Sequence, residues 1–339
     1  MAAKELLIKA KDQKAEQILF IVGQDPLMKV AGQWQKMRGT PGLASEWQQW
    51  QELLLTPAQK DNVESQGSFS GESFCDGLRL NCHFFSEDNT FKVAIELWQT
   101  GVSRTLPQVL TEGAQNFKGL HIWSGQGTAG ITQAWELLLS SVSRPLHIVS
   151  IGSSNLPFNL PQHNLIQQGI SGEGFRPELI QGVDLLLLRH QAGLPTLLMA
   201  VEFAEMGIPV WLELPAVSVA NALDQYYSEL QVWGTAGARR LAAVIDRVIY
   251  QVQLEGLAGD KHWAHEYILA HSQIKKLIAN GDMNTLEQMT LVSPEGGACV
   301  GLNQSLLQHL LRRRIDLKTA FLASKDPEHL DKLLKKVGI

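Results

Sequence analysis

Eight consecutive residues, Gly125-Gln126-Gly127-Thr128-Ala129-Gly130-Ile131-Thr132, have the spacing of a loop that cradles phosphate. Such a loop needs glycines, so that backbone N–H groups can converge on phosphate oxygens. It also needs a lysine to reach the β and γ phosphates, and a Ser or Thr hydroxyl to hold Mg²⁺. Here Gly125, Gly127, Gly130 and the Thr132 hydroxyl are in place. The stretch 131–139 reads as a helix whose N-terminal dipole favours an anion. The lysine position, however, holds Ile131. Isoleucine offers no charge to a triphosphate, and its branched side chain belongs in a core. Two readings follow. The loop binds a phosphate weakly through its backbone, or it is a strand-to-helix turn kept for folding, since backbone donors do not replace a lysine's point charge.

Other residues capable of chemistry are weaker candidates. His262, His265, Glu266 and His271 form the densest histidine cluster. Trp263, Tyr267 and Ile268 favour a strand there. On a strand, residues three apart point to opposite faces, so His262 and His265 cannot share one ion, and no metal is expected. The three cysteines, Cys75, Cys82 and Cys299, lack metal-ligand spacing, and Cys82 and Cys299 read as small core residues. Arg239-Arg240 and Arg312-Arg313-Arg314 read as solvated faces or subunit contacts. Among nine tryptophans, Trp47, Trp50, Trp98, Trp211 and Trp233 read as core residues or interface anchors.

The elements that would hold these residues fall into two grammars. The first hundred residues read as a small α+β unit: helix 4–14, strands 18–22, 27–30 and 33–37, helices 45–55 and from Thr56-Pro57, then strands 78–85 and 91–98. From Gly119 onward, buried strands alternate with helices, the signature of a parallel sheet. The strands are 120–123, 146–151, 183–188, 210–214 and 248–253, with helices 131–139, 194–206 and 217–230 between them. Leu185 to Leu188 is apolar on both faces, as a central parallel strand must be. The segment 155–174, rich in Gly, Asn and Gln, reads as a surface loop. The tail beyond Ser272 is helical, at 273–279, 283–289, 304–312, 317–323 and 327–336. The expected organisation is domain 1–100, linker 101–118 and domain 119–339.

Bulk properties exclude several classes. A net charge of -5 over 339 residues argues against a general nucleic-acid binder, whose surface must be basic. The most apolar stretch, 194–220, contains Glu202, Glu205 and Glu213, which would be costly at bilayer depth. No secretory signal opens the chain, so a cytoplasmic protein is expected.

Several segments, colinear and at similar spacing, carry a family likeness. They are Glu5-Leu6-Leu7, the stretch 15–23, Asp25-Pro26-Leu27-Met28-Lys29-Val30-Ala31-Gly32 and Leu78-Arg79-Leu80-Asn81, followed by Ala264-His265-Glu266, Lys276-Leu277-Ile278 and Gly301-Leu302-Asn303-Gln304-Ser305-Leu306-Leu307. The set resembles the type IV pilus retraction ATPases (PilT- and PilU-like) of the type II/IV secretion ATPase superfamily. The resemblance implies an α/β protein with a PAS-like N-terminal domain, then a RecA-like parallel-sheet motor domain with a helical C-terminal end. It also implies a hexameric ring that extends or retracts pili or serves the related type II secretion machinery.

Set against that family, the catalytic positions are altered one after another. The lysine is Ile131. Where the family places a catalytic Glu followed by Asp, strand His147-Ile148-Val149-Ser150-Ile151 runs into Gly152-Ser153-Ser154, with no carboxylate to orient a water. The Gly-Glu expected after Asp184 and its leucines is Arg189-His190, a cation near a metal that wants oxygen ligands. Arg189 either fills the metal's place and holds the loops in one state, or is an ordinary solvated arginine at a strand end. The family's phosphate-sensing His is Pro215, which has no donor. Gln17, Leu19 and Ala31 replace an Asp, a His and an Asp of the N-terminal domain. Random decay would erode buried strands as readily, yet those strands remain.

The expected function is therefore a non-catalytic pseudo-ATPase, a regulatory or structural subunit in type IV pilus, twitching or gliding motility. The alternative is a weakly active or nucleotide-binding ATPase of the same machinery, with residual ATP or ADP binding at Gly125, Gly127, Gly130 and Thr132. The implied partners are a catalytic motor paralogue, an inner-membrane platform protein or further copies of the chain in a ring. Attachment would be peripheral, through the pilus machine.

Overall fold

The computed structural model describes residues 3–30, 33–76, 78–87, 90–98, 106–112, 118–125, 130–151, 165–168, 182–189, 196–234, 236–292 and 297–338. The chain divides into two compact units, Met1–Ser103 and Arg104–Ile339.

The first unit begins with α1 (Ala3–Asp12), whose Leu6, Leu7 and Ala10 are buried at helical spacing. Its sheet contains β1 (Gln17–Ile21), β2 (Leu27–Val30), β3 (Gln33–Lys36), β4 (Ser68–Cys75), β5 (Leu78–Glu87) and β6 (Thr90–Trp98), in the order β3-β2-β1-β6-β5-β4. All pairs are antiparallel. Between β3 and β4 lie α2 (Ala44–Leu54) and α3 (Pro57–Gln66). Trp47 and Trp50 of α2 join Phe20, Phe84 and Ile95 in one core. Strand β4 was not expected from the sequence. Its Ser-Phe-Ser-Gly-Glu-Ser sequence is poor in strand formers, but it lies at a sheet edge and gains its ladder from β5.

The second unit is built on an eight-stranded sheet. Its strands are β7 (Leu120–Gly125), β8 (His147–Ile151), β9 (Leu165–Gln168), β10 (Leu185–Arg189), β11 (Val210–Pro215), β12 (Ile245–Glu255), β13 (Lys261–Leu269) and β14 (Cys299–Val300). They are ordered β14-β13-β12-β7-β11-β10-β8-β9. From β12 to β9 neighbouring strands are parallel, and β13 and β14 add antiparallel strands at one edge.

One face carries α4 (Gln108–Glu112) and α5 (Ile131–Ser140), packed with Trp123, Trp135 and Trp211. The other carries α6 (Thr196–Glu205), α7 (Val219–Leu230) and α8 (Ala236–Val244), with the C-terminal helices α9 (Ser272–Asn280), α10 (Met283–Val292), α11 (Leu302–Leu311), α12 (Leu317–Ala323) and α13 (Pro327–Lys336). Helices on both faces bury a mostly parallel sheet completely, which is why Leu185 to Leu188 shows no alternation.

Three further elements correct the sequence reading. Residues 155–174, read as a surface loop, contain β9, which pairs with β8; the rest of that stretch lies outside the described residues. Of the stretch 101–118, read as a linker, Gln108–Glu112 is a helix with Leu110 buried in the second unit. Helix α8 was hidden by Gly237. That glycine is required because an added Cβ would come 2.4 Å from the Leu230 carbonyl oxygen.

Candidate functional site

Gly125 and Gly130 to Thr132, the described ends of the eight-residue segment, sit where ligand sites of open parallel sheets form, at the C-terminal end of the strands. Strand β7 ends at Gly125, and α5 begins at Ile131 with Gly130 as its N-cap. Gly127 lies outside the described residues. Gly130 has φ +77, and a Cβ there would lie 2.9 Å from Nε1 of Trp263. Only glycine fits both the backbone conformation and the close indole. From this cap, Ile131, Ala134, Trp135 and Leu138 follow at helical spacing and fill the core beneath α5. Ile131 is 5% exposed. The residue at the lysine position therefore points its apolar side chain into the protein.

Strand register brings the other positions together. Pro215 pairs with Gly125, and Glu213 pairs with Trp123 on one side and with Arg189 on the other. Arg189 Nη2 donates to the Thr132 hydroxyl. Its Nε lies 2.9 Å from Glu213 Oε2. One planar guanidinium thus spans a hydroxyl on α5 and a carboxylate on β11, a use for which arginine's fixed fork suits it better than lysine. Both charged side chains are little more than a quarter exposed, so the pair contributes on the order of 1 kcal/mol or less. Gly152 and His190 lie outside the described residues.

Sequence reasoning missed Glu213 and Trp263 at this site. Glu213 left one signal, a carboxylate breaking the apolar run Val210-Trp211-Leu212. Trp263 left none, because its approach to Gly130 depends on β12 and β13 extending the sheet.

A second cluster lies at the opposite end of the strands. His121 on β7 is 2% exposed, with Nε2 3.3 Å from Asp246 Oδ2. Arg247 donates to the same carboxylate through Nε at 3.0 Å and Nη2 at 2.8 Å. It also reaches the Leu110 carbonyl of α4 at 3.5 Å. Burial pushes the His121 pKa down to about 4, outweighing the carboxylate beside it. Burial works against the charge of Asp246, yet His121 and Arg247 hold it well below the ordinary carboxylate range. His121 also stacks on Trp211, with ring centroids 5.8 Å apart.

The histidines of β13 serve packing. His265 is buried with Nε2 2.9 Å from Gln251 Oε1, and burial lowers its pKa to about 3. His262 lies 3.0 Å from Asp260 and packs against His309, whose Nε2 is 2.9 Å from the Trp263 carbonyl. Among the described residues no group of three or more His, Cys, Asp or Glu could hold a metal ion. Glu266 accepts from the Val219 N–H at the start of α7 at 3.3 Å and from Lys325 at 3.0 Å. Cys82 and Cys299 are buried, and Arg240 pairs with Glu205 while lying over the Trp233 ring. Among the described residues no helix is long and apolar enough to cross a membrane.

No model of a known protein family and no curated protein sequence matches the chain. Solved structures do. The pilus retraction motor PilT with bound ADP aligns over 98% of this chain and 99% of its own, with TM-score 0.74 and 17% identity. The ATPase DotB of Legionella pneumophila aligns over 94% of both chains, with TM-score 0.71 and 13% identity. DotB of Yersinia pseudotuberculosis gives TM-score 0.68 at 13% identity, over 95% of this chain and 92% of its own. The chain shares the fold of these ATPases over 94% to 98% of its residues.

Proposed function

We propose that the chain is a non-catalytic homologue of pilus retraction motors, acting by binding as a regulatory or structural subunit of a type IV pilus, twitching or gliding machine. In this reading the first unit is PAS-like and the second is a RecA-like motor domain. The single observation that carries the proposal is the buried Ile131, which heads α5 where a phosphate loop needs its lysine.

The residues around it do not fit a Mg²⁺-bound triphosphate. The Thr132 hydroxyl, which would hold the metal, accepts from Arg189. Placing Mg²⁺ there would set it against a guanidinium. Pro215 stands beside Gly125 without a donor. In the sequence, no carboxylate follows Ile151 at the position of the catalytic acid. What this edge can still do is present the shape of a motor to protein partners. A catalytic paralogue, an inner-membrane platform protein or further copies in a ring are the partners this reading names, with the chain held at the inner face of the membrane through them.

The test is turnover of Mg·ATP by the purified chain. The expected rate equals the buffer blank. Turnover above the blank that disappears in Thr132→Val would overturn the proposal. A second reading, nucleotide binding with weak or no hydrolysis, is favoured by the surviving Gly125, Gly130 and Thr132 in a strand-loop-helix setting. Calorimetry with ATP, ADP and cyclic dinucleotides separates the two, since micromolar ATP binding would establish the second. Light scattering checks ring formation, and a pull-down from native cells should recover a motor or platform component.

A further inference from the structure

We infer that Arg189 is a built-in cation, which fastens the first turn of α5 to the ends of β10 and β11 and holds this edge in one arrangement without nucleotide or metal. The inference rests on reading 125–132 as the remnant of a phosphate loop. It goes beyond lost catalysis, because it assigns the replacing residue a task.

The geometry supplies the argument. A divalent cation at such a loop is gathered from oxygen ligands, one a hydroxyl at the start of the helix and others carboxylates at strand ends. Thr132 and Glu213 are such a hydroxyl and such a carboxylate, and they flank Arg189. The guanidinium puts a permanent positive charge between them, fixed by covalent attachment to β10. Tethered by its own side chain, this charge cannot diffuse away. A metal binds and leaves with its nucleotide, so a site that depends on one has at least two states. The tethered cation leaves one.

The three groups also lie on different elements. Thr132 belongs to α5, Arg189 to β10 and Glu213 to β11, two residues before Pro215. Their contact therefore joins two strand ends to a helix start. Elsewhere the start of α5 rests on buried apolar packing and on Gly130 against Trp263. Among the described residues, the Arg189 bridge adds a polar link to that packing.

Amide hydrogen exchange on the full chain tests this. The reporters are the α5 amides from Ala134, whose N–H donates to the Gly130 carbonyl at 3.0 Å. In Arg189→Met these amides should exchange about 5-fold faster than in the unmodified chain, with amides of β12 and β13 unchanged as internal controls. Arg189→Lys should recover only part of the protection, because an ammonium lacks the fork. Glu213→Gln and Thr132→Val are milder changes that report if the methionine variant folds poorly. Combined with Arg189→Met, each should add less than its single effect, since partners in one contact are not additive.

Millimolar Mg²⁺ alone should leave the unmodified chain's exchange unchanged. Equal exchange in Arg189→Met and the unmodified chain, additive double variants, or protection of α5 by Mg²⁺ would each overturn the inference. The function reading fails separately, by ATP turnover in the unmodified chain, which these exchange rates do not decide.

Discussion

Two charged clusters sit on one sheet at opposite ends of its parallel strands, and they differ in depth. At the N-terminal end, His121, Asp246 and Arg247 form a largely buried set, with His121 2% exposed, Arg247 also buried and the exposed Lys118 approaching Asp246 at 3.8 Å. At the C-terminal end, Arg189 and Glu213 keep 27% and 28% of their side-chain surface in solvent. The same Coulomb attraction is strong in the first setting and screened in the second. The comparison teaches that a cluster's place decides its use. The buried set secures the sheet and anchors α4 through Leu110, whereas the more open set fastens the start of α5 to two strand ends through a weaker, screened contact.

The contrast can be broken by substitution. The largest effect is expected from Asp246→Ala, which leaves a buried guanidinium and imidazole without their carboxylate. Unfolding of the second unit by urea, read from amide exchange of β7 and β12, should show a loss of about 3 kcal/mol. A loss no larger than that of an Arg189 variant would erase the difference between the clusters.

Acidification should produce an effect of similar size. The His121 pKa is lowered from 6.5 to about 4, so the native state holds the ring neutral while the unfolded chain protonates it. Its stabilising contribution is complete above pH 6.5 and is lost as the pH falls toward 4, about 3 kcal/mol at the upper bound. His265 and His309, lowered by burial to about 3 and about 4, act in the same direction. Stability measured from pH 7 to pH 4 should fall steadily, and a flat profile would contradict the buried cluster.

Arg189→Met should cost about 1 kcal/mol or less, in keeping with its partial exposure. Raising the salt to about 1 M, where the screening length is near 3 Å, should reproduce a few tenths of that loss at the open end and leave the buried end unmoved. Equal salt sensitivity at both ends would sink the depth argument.

What the sequence revealed follows from what each feature depends on. The central strands were legible because burial on both faces demands unbroken apolar runs such as Leu185 to Leu188. Helix α5 was legible as the element after the loop, and the branched side chain of Ile131 marked it for a core. Strands β4 and β9 were not, since edge strands draw their stability from a neighbour's ladder more than from their own residues. The site divides in the same way. Ile131 and Thr132 could be singled out from the loop motif, and Arg189 and Pro215 from the family resemblance, but Glu213 gains its meaning only from the register of β10 on β11. Chain spacing carries no record of that register.

The indole groups of α5 and of the strands it covers have one more consequence. Trp211 lies 6.4 Å from Trp123 and 6.0 Å from Trp135, centroid to centroid, and both pairs are tilted. Chromophores held this close in a fixed chiral arrangement couple their transitions, so this face of the sheet carries its own optical label. The coupled signal should appear in circular dichroism of the unmodified protein. It reports the seating of α5 directly, with no dye, no nucleotide and no engineered probe.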